Sequence, residues 1–509
     1  MIDMVSNPNY NSSLVMRADV LWDSDNIATG GVFATATSAL ESEREEEDTV
    51  PRHVSVKGYK LIRRLVRRFI PRNPLLDGYL CQSCLFYREE KEEGKEDSEG
   101  PQGGGGSLVI YLPHASTPTS IPFYHPPVEG VAFLHYPSKS TFTADSPPNY
   151  TISIHHLPFP STPTSTSTST STIPTNPNRL PRILHHLLST LATHGRGLLT
   201  GYTKRVHHDQ LIPRPTLQDT YLRLKAAHSH RLVSSWAEST DPRKHVFEDL
   251  LIAAFLIEWW GLIYHRTGEV SKHKDTDKRP WVGFVDVGCG NGVLVDILRR
   301  EGWTGWGFDA RRRKTWEVLL PSSTTTTTSS SSSAEPWLRE MLLIPSSLLL
   351  YNCDRDIPVP VHNGVFPPHT FIISNHSDQL TGWTPLLAAW SNCPFMAVPC
   401  CSFNLSGDRF RAAAPGSAYA ALCVWTESLA QRVGWVVEKE VLRIPSTRNV
   451  AVLGRRMAVG VADGVDGDGD GVEERVRRVL REEGGGVGGV DKCSGLVRGG
   501  GGGGGAGCH

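Results

Sequence analysis

Apolar residues recur every three and four positions between Tyr221 and Tyr264: Leu222, Leu224, Leu232, Val233 and Trp236, then Val246, Phe247, Leu250, Leu251, Ala254 and Phe255. That period marks helix with one buried stripe. Asp241-Pro242 offers an N-cap followed by proline at the first helical position, so a helix starting there should pack against what comes next. Beyond a charged linker at Lys272 to Lys278 the order becomes strand, helix, strand: Trp281 to Val287, Val293 to Arg300, Thr304 to Phe308. Alternation with short connections builds a parallel α/β sheet. Further strands are predicted at Thr370 to Ser374, Phe395 to Val398 and Trp435 to Val437.

The N-terminal half is interrupted by acidic and glycine-rich runs at Glu41 to Asp48 and Glu89 to Gly106, and by a Ser/Thr/Pro tract at Ser161 to Thr175. Between them, Ser107 to Leu112 and Gly130 to Tyr136 carry the Val, Ile, Tyr and Phe of strands. The pattern divides the chain into an accessory, partly disordered β-containing region (1–160), a Ser/Thr/Pro-rich linker (161–209), an α/β domain (210–455) and a Gly/Asp-rich tail without a fold (456–509). A second low-complexity tract, Ser322 to Ser333, falls in a loop.

Composition narrows the possibilities. The 48 glycines and 35 prolines, many in monotonous tracts, leave the ordered part well short of 509 residues. With 52 basic against 53 acidic residues the formal charge is −1, so any nucleic-acid binding must be local. Basic clusters stand at Lys60, Arg63, Arg64, Arg67, Arg68 and Arg72, and at Arg311 to Lys314. The first residues lack the charged start and apolar core of a secretory signal, and the longest apolar stretch, Leu250 to Tyr264, is too short to span about 30 Å of hydrocarbon. A cytoplasmic protein without membrane attachment is the expectation. Cys81 and Cys84 form one CxxC, with no second pair at a ligand-like spacing. Asp466, Asp468, Asp470 and Gly471 mimic the opening of an EF-hand, but Arg477 stands where the closing glutamate belongs. No metal is expected.

The chemistry concentrates in Gly283-Phe-Val-Asp-Val-Gly-Cys-Gly-Asn-Gly292, an apolar strand running into a glycine turn that opens a helix. Gly288, Cys289, Gly290, Asn291 and Gly292 let the backbone bend and approach a nucleotide-like ligand at the carboxyl edge of a parallel sheet. Asp286, inside the strand, is costly to bury unless it meets polar partners. Asp309, 21 positions after Gly288, suits a ribose diol. Position 293, where a dinucleotide fingerprint has its third glycine, is Val293, which favours S-adenosyl-L-methionine over a nicotinamide dinucleotide. Asn375, His376 and Asp378 follow a later strand, where they could orient or deprotonate a nucleophile, although Asn, Ser and Asp are also ordinary turn formers. Pro399-Cys400-Cys401 ends the next strand and reads as packing. Arg443 and Arg448, beside hydroxyl and amide donors, suit a phosphate or carboxylate.

These blocks together resemble the tRNA (uracil-2′-O-)-methyltransferases that modify position 44 of serine tRNAs in fungi and other eukaryotes. The resemblance runs from about residue 55 to 455. It rests on Phe69-Ile-Pro-Arg-Asn-Pro74, Gln82-Ser-Cys84, Tyr111-Leu-Pro-His114, Pro122-Phe-Tyr124, Thr240-Asp-Pro-Arg-Lys244 and Phe247-Glu-Asp249 in the first half. Downstream it rests on the glycine turn, Gly307-Phe-Asp-Ala-Arg311, Ser374-Asn-His-Ser-Asp378, Pro399-Cys-Cys401 and Arg443-Ile-Pro-Ser-Thr-Arg-Asn449. The resemblance implies a Rossmann-like class I methyltransferase domain and methyl transfer from S-adenosyl-L-methionine to a uridine 2′-hydroxyl in tRNA; it identifies no protein partner. Asp286, Gly288 to Gly292 and Asp309 would hold the cofactor. Asp378 would assist removal of the hydroxyl proton, with Asn375 and His376 positioning the ribose and Arg311, Arg443 and Arg448 contacting phosphate. A methyltransferase for another RNA or a small molecule, a non-catalytic RNA-binding subunit and a nicotinamide-dependent oxidoreductase stay open.

Overall fold

The apolar segments of the N-terminal half pair in chain order into one antiparallel sheet: β1 (Val15–Asp23), β2 (Tyr59–Pro71), β3 (Leu80–Glu89), β4 (Ser107–Pro113), β5 (Gly130–Pro137) and β6 (Tyr150–Leu157). The computed structural model describes residues 5, 12–27, 50–74, 76–90, 106–137, 150–160, 178–204, 206–265, 279–320, 335–349, 359–401, 403–411, 417–458 and 471–484. The acidic run at 41–48, most of 89–106, the tracts at 161–175 and 322–333, the linker at 272–278 and the aspartates at 466–470 lie outside them. The chain falls into two units, residues 1–203 and 204–509.

In the first unit, β4 and β5 match the predicted strands, whereas β2 hides behind its own arginines. Arg63 forks onto Asp23, with Nε 3.0 Å from Oδ1. Arg64 lies 5.4 Å from the Trp22 ring centroid, and Arg68 stands 6.0 Å from that of Tyr79. Arg67 is 2% exposed and donates from Nε and Nη2 to Gln82 Oε1 at 3.0 and 2.7 Å. Four members of this basic cluster are therefore engaged by β1, by β3 or by Tyr79 just before β3. Cys81 and Cys84 lie three apart in β3, so they project to opposite faces of the sheet and cannot chelate one ion. α1 (Arg179–Leu199) occupies part of the span expected as linker. Its Leu180, Leu184, Leu187 and Leu191 pack with Tyr111 and Phe133, an apolar stripe sufficient to fix a helix against a sheet.

The second unit opens with two helices, α2 (Arg214–Ser234) and α3 (Pro242–Ile263). The predicted cap holds: Asp241 Oδ1 accepts from Arg243 N at 3.0 Å. A parallel-rich sheet follows, made of β7 (Phe284–Val287), β8 (Gly305–Asp309), β9 (Leu338–Glu340), β10 (Phe371–Asn375), β11 (Phe395–Val398), β12 (Trp435–Val441) and β13 (Val450–Met457). Helices α4 (Val293–Arg300), α5 (Thr384–Trp390) and α6 (Ala418–Arg432) intervene. α3 seals the sheet with aromatic rings: Trp260 lies 5.7 Å from Phe284 and 5.2 Å from Phe371 between centroids. Burying side chains of this size contributes on the order of 2–3 kcal/mol each.

A final helix, α7 (Val472–Glu482), stands in the tail expected to lack a fold. Val476, Val479 and Leu480 are buried, and Glu483 just beyond accepts from Trp425 Nε1 at 2.9 Å. Three apolar residues at helical spacing outweigh a polar local composition.

Strand order in the second sheet is β9-β8-β7-β10-β11-β13-β12. The first five strands are parallel, and β13 is antiparallel to both β11 and β12. The chain leaves β7 toward β8 and β9 on one side, then returns to build β10 and β11 on the other. The switch point between β7 and β10 opens a crevice at the carboxyl ends of the strands, where such sheets bind ligands. Among the described residues no helix is long and apolar enough to cross a membrane.

Candidate active site

A cleft of about 420 Å³ occupies that edge, lined among others by Gly288, Gly290, Asp309, Arg311, Glu340, Met341, His376, Ser377 and Asp378. This volume is within the range of small-molecule and cofactor sites.

The glycine turn forms one wall. Gly288 N and Cys289 N both donate to Phe308 O, at 2.9 and 3.0 Å, which binds the turn to the end of β8. Gly288 has φ +76°, and a Cβ there would stand 3.0 Å from Ser377 Cβ. Gly292 has φ +78°, and its Cβ would lie 2.6 Å from Leu338 Cδ1. Both positions need glycine twice over, for the left-handed backbone and for space. Asn291 Oδ1 accepts from Val293 N at 2.9 Å and starts α4. Cys289 is buried beside Gly307.

Two carboxylates sit behind the turn. Asp309 Oδ2 accepts from Gly290 N at 3.0 Å and Oδ1 from Arg311 N at 3.1 Å. Each oxygen keeps a lone pair for another donor. Asp286 is 2% exposed, and its Oδ1 is buried without a hydrogen-bond partner. Burial, reinforced by the charge of Asp309, pushes its carboxyl up to about 8. An orphaned buried carboxylate oxygen is costly unless a cation or donor completes it, and the ammonium of S-adenosylmethionine is such a group. The residues present therefore fit the cofactor.

The opposite rim follows β10. Asn375 Oδ1 is also buried without a partner. His376 and Asp378 line the cleft on left-handed backbone, φ +52° and +49°. His376 Nε2 lies 3.0 Å from Glu248 Oε1 of α3. Asp378 Oδ1 accepts from the Cys400 thiol at 3.2 Å. Burial and the neighbouring Asp378 push that thiol up to about 11, so it is a poor nucleophile at neutral pH.

The structure thus gathers Gly288, Gly290, Asp309, Arg311, His376 and Asp378 around one cleft, with Asp286 buried behind the glycine turn. Arg443 and Arg448 do not line the cleft; they stand on the turn between β12 and β13, at the same edge of the sheet. Arg443 Nε donates to Asp209 Oδ1 at 2.8 Å and Nη2 to Oδ2 at 2.5 Å, so its fork is committed within the fold. Arg448 stacks on Tyr419, 4.6 Å from the ring centroid.

Glu248 and Asp249, which the sequence offers only as part of a resembling block, gain a place at the site from the fold. Asp249 is buried on the same stripe as Val246, Leu250 and Ala253. Burial, then the charges of Glu248 and Asp286, hold its carboxyl well above the usual range. An acid on an otherwise apolar helical stripe was the signal available.

Comparison with known proteins accords with this geometry. Residues 1–205 match the family model described as "TRM44-like, N-terminal bet v1-like domain", and residues 211–330 match "Predicted AdoMet-dependent methyltransferase". The second match makes S-adenosylmethionine the methyl donor of this domain. The tRNA (uracil-O(2)-)-methyltransferase of Neurospora crassa is 43% identical over 468 residues, covering 90% of this chain and 83% of that protein. Its namesake in Yarrowia lipolytica is 36% identical over 548 residues, covering 97% and 92%. The Saccharomyces cerevisiae protein of the same name is 34% identical over 523 residues, covering 89% and 83%. With identity at that level across nearly the whole chain, this protein belongs to the tRNA (uracil-O(2)-)-methyltransferase family.

Proposed function

We propose that this protein methylates the 2′-hydroxyl of the uridine at position 44 of serine tRNAs, through a Rossmann-like class I methyltransferase domain. The observation that carries the reading is the cleft at the β7/β10 switch point. An orphaned carboxylate, Asp286, lies behind its glycine wall, and a histidine-glutamate pair stands at its rim.

When bound, S-adenosylmethionine supplies an electrophilic methyl group. Asp286 would hold its ammonium, Asp309 its ribose diol, and the backbone at Gly288 and Gly290 would leave room for it. Because both partners are fixed by rigid elements, catalysis comes chiefly from alignment.

Sequence reading placed proton removal on Asp378. The hydrogen bonds favour His376 for that role, since its Nε2 is held by the Glu248 carboxylate. With Nε2 donating to Glu248, His376 keeps Nδ1 as the acceptor for the 2′-hydroxyl proton, and Glu248 stabilises the imidazolium that results. Asn375 and Asp378 position the ribose. Arg311, which lines the cleft, and Arg448 contact phosphate. A reducing, cytoplasmic setting is supported by the seven free cysteines among the described residues.

The test is methyl transfer to synthetic serine tRNA carrying either uridine or 2′-deoxyuridine at position 44. Incorporation into the first alone supports the assignment. Equal incorporation into both would place the methyl on another atom.

A further inference from the structure

We propose that Asp378, Cys400 and Cys401 form a zinc(II) site that ties the loop after β10 to the loop after β11. The two strands are parallel neighbours, with Asn375 paired to Val398 at their ends. Asp378 follows β10 by three residues, and Cys400 and Cys401 follow β11 by two and three, so the register brings the three side chains to one place. One Asp378 carboxylate oxygen and both Sγ atoms lie within 4.8 Å of one another.

A tetrahedral zinc ion binds sulfur at about 2.3 Å and carboxylate oxygen at about 2.0–2.2 Å, which sets its ligand atoms roughly 3.6–3.8 Å apart. Closing onto an ion therefore requires at most about an ångström of side-chain movement. The Cys400 thiol already donates to Asp378 Oδ1 at 3.2 Å, so that edge is already short enough. Two thiolates with one carboxylate select zinc over magnesium or calcium, which take all-oxygen shells. Binding exchanges the two thiol protons for the metal and releases them to solvent. Three protein ligands leave a fourth position to water.

The site shares Asp378 with the proposed ribose contacts, whereas Asp286 and His376 take no part in it, so zinc retention and thiol protection are read separately from methyl transfer. It accounts for paired cysteines whose thiols the cofactor cleft leaves unused, and it would pin Asp378, a non-glycine residue at φ +49°.

The experiment uses the full-length protein, titrated with zinc(II) and, separately, with cobalt(II) as a spectroscopic probe. One equivalent of zinc should be retained through dialysis. Cobalt should give the intense near-ultraviolet absorption of thiolate ligation. Cys400→Ser and Cys401→Ser should each weaken zinc binding at least tenfold. Alkylation of the wild-type protein supplies a reading independent of how the variants fold: zinc should shield Cys400 and Cys401 from iodoacetamide, and a chelator should remove that protection. Absence of stoichiometric zinc, a cobalt spectrum without thiolate bands, or alkylation of both cysteines unaffected by zinc would overturn the proposal.

Discussion

Glu248 and His376 stand 128 positions apart in the chain and meet through a 3.0 Å hydrogen bond between Oε1 and Nε2. One comes from the helix that seals the sheet, the other from the loop after β10. Removing the imidazole with His376→Ala should lower the single-turnover methyl-transfer rate by about 10²–10⁴-fold. Glu248→Gln, which keeps the shape but loses the charge, should have a smaller effect and move the pH profile of the rate. Calorimetric affinity for S-adenosylmethionine should stay close to wild type in both. Wild-type turnover in His376→Ala would remove the pair from the mechanism.

Asp286 makes stability depend on pH in a definite direction. Its folded-state carboxyl titrates at about 8, against roughly 3.9 in an unfolded chain. As pH rises through that window the unfolded chain gives up its proton while the folded one keeps it, so the ligand-free protein should lose stability from about pH 4 to about pH 8. Asp286→Asn removes this dependence. At pH 8 the ligand-free variant should melt above wild type, yet it should fail to bind cofactor. The stabilisation of wild type by S-adenosylmethionine should be larger at pH 8.5 than at pH 6. Melting curves with the same pH dependence in variant and wild type would show that Asp286 is not the group responsible.

Much of this site was legible in the sequence, for local reasons. The glycine turn, Asp286 and Asp309 fall within one strand-helix-strand unit, where apolar pattern and turn chemistry determine position. Glu248 was not legible as a partner, because its role depends on how α3 lies across the sheet. The arginines of β2 hid that strand for a different reason: their charge masks the apolar pattern, and only the folded sheet shows Asp23 and Gln82 occupying Arg63 and Arg67. α7 was obscured by the polar residues around Val476, Val479 and Leu480.

Gly292 tests the packing of the turn. An added Cβ would meet Leu338 Cδ1 at 2.6 Å and Trp316 Nε1 at 3.2 Å, next to the hydrogen bond from Trp316 Nε1 to Gly290 O. Gly292→Ala should cost about 1–3 kcal/mol in urea unfolding, from overpacking together with a left-handed backbone. An unchanged unfolding midpoint would mean that the turn relaxes freely.

The arginines should separate into two groups. Arg443→Ala breaks the pair with Asp209, whose side chains are 26% and 21% exposed, and should lower stability by about 1–2 kcal/mol. It should leave the salt dependence of tRNA binding unchanged. Arg311→Ala should do the reverse, weakening binding and reducing the salt slope by about 1. Filter binding at several salt concentrations, alongside urea melts, distinguishes the two; a reduced slope for Arg443→Ala would return that residue to the RNA interface.

The most direct measurement is a map of ribose methylation across total tRNA from cells with and without this protein. Serine tRNAs should lose 2′-O-methylation at uridine 44, and restoring the wild-type protein, but not the Asp286→Asn variant, should bring it back. Intact methylation at that position in the deleted cells would contradict the account.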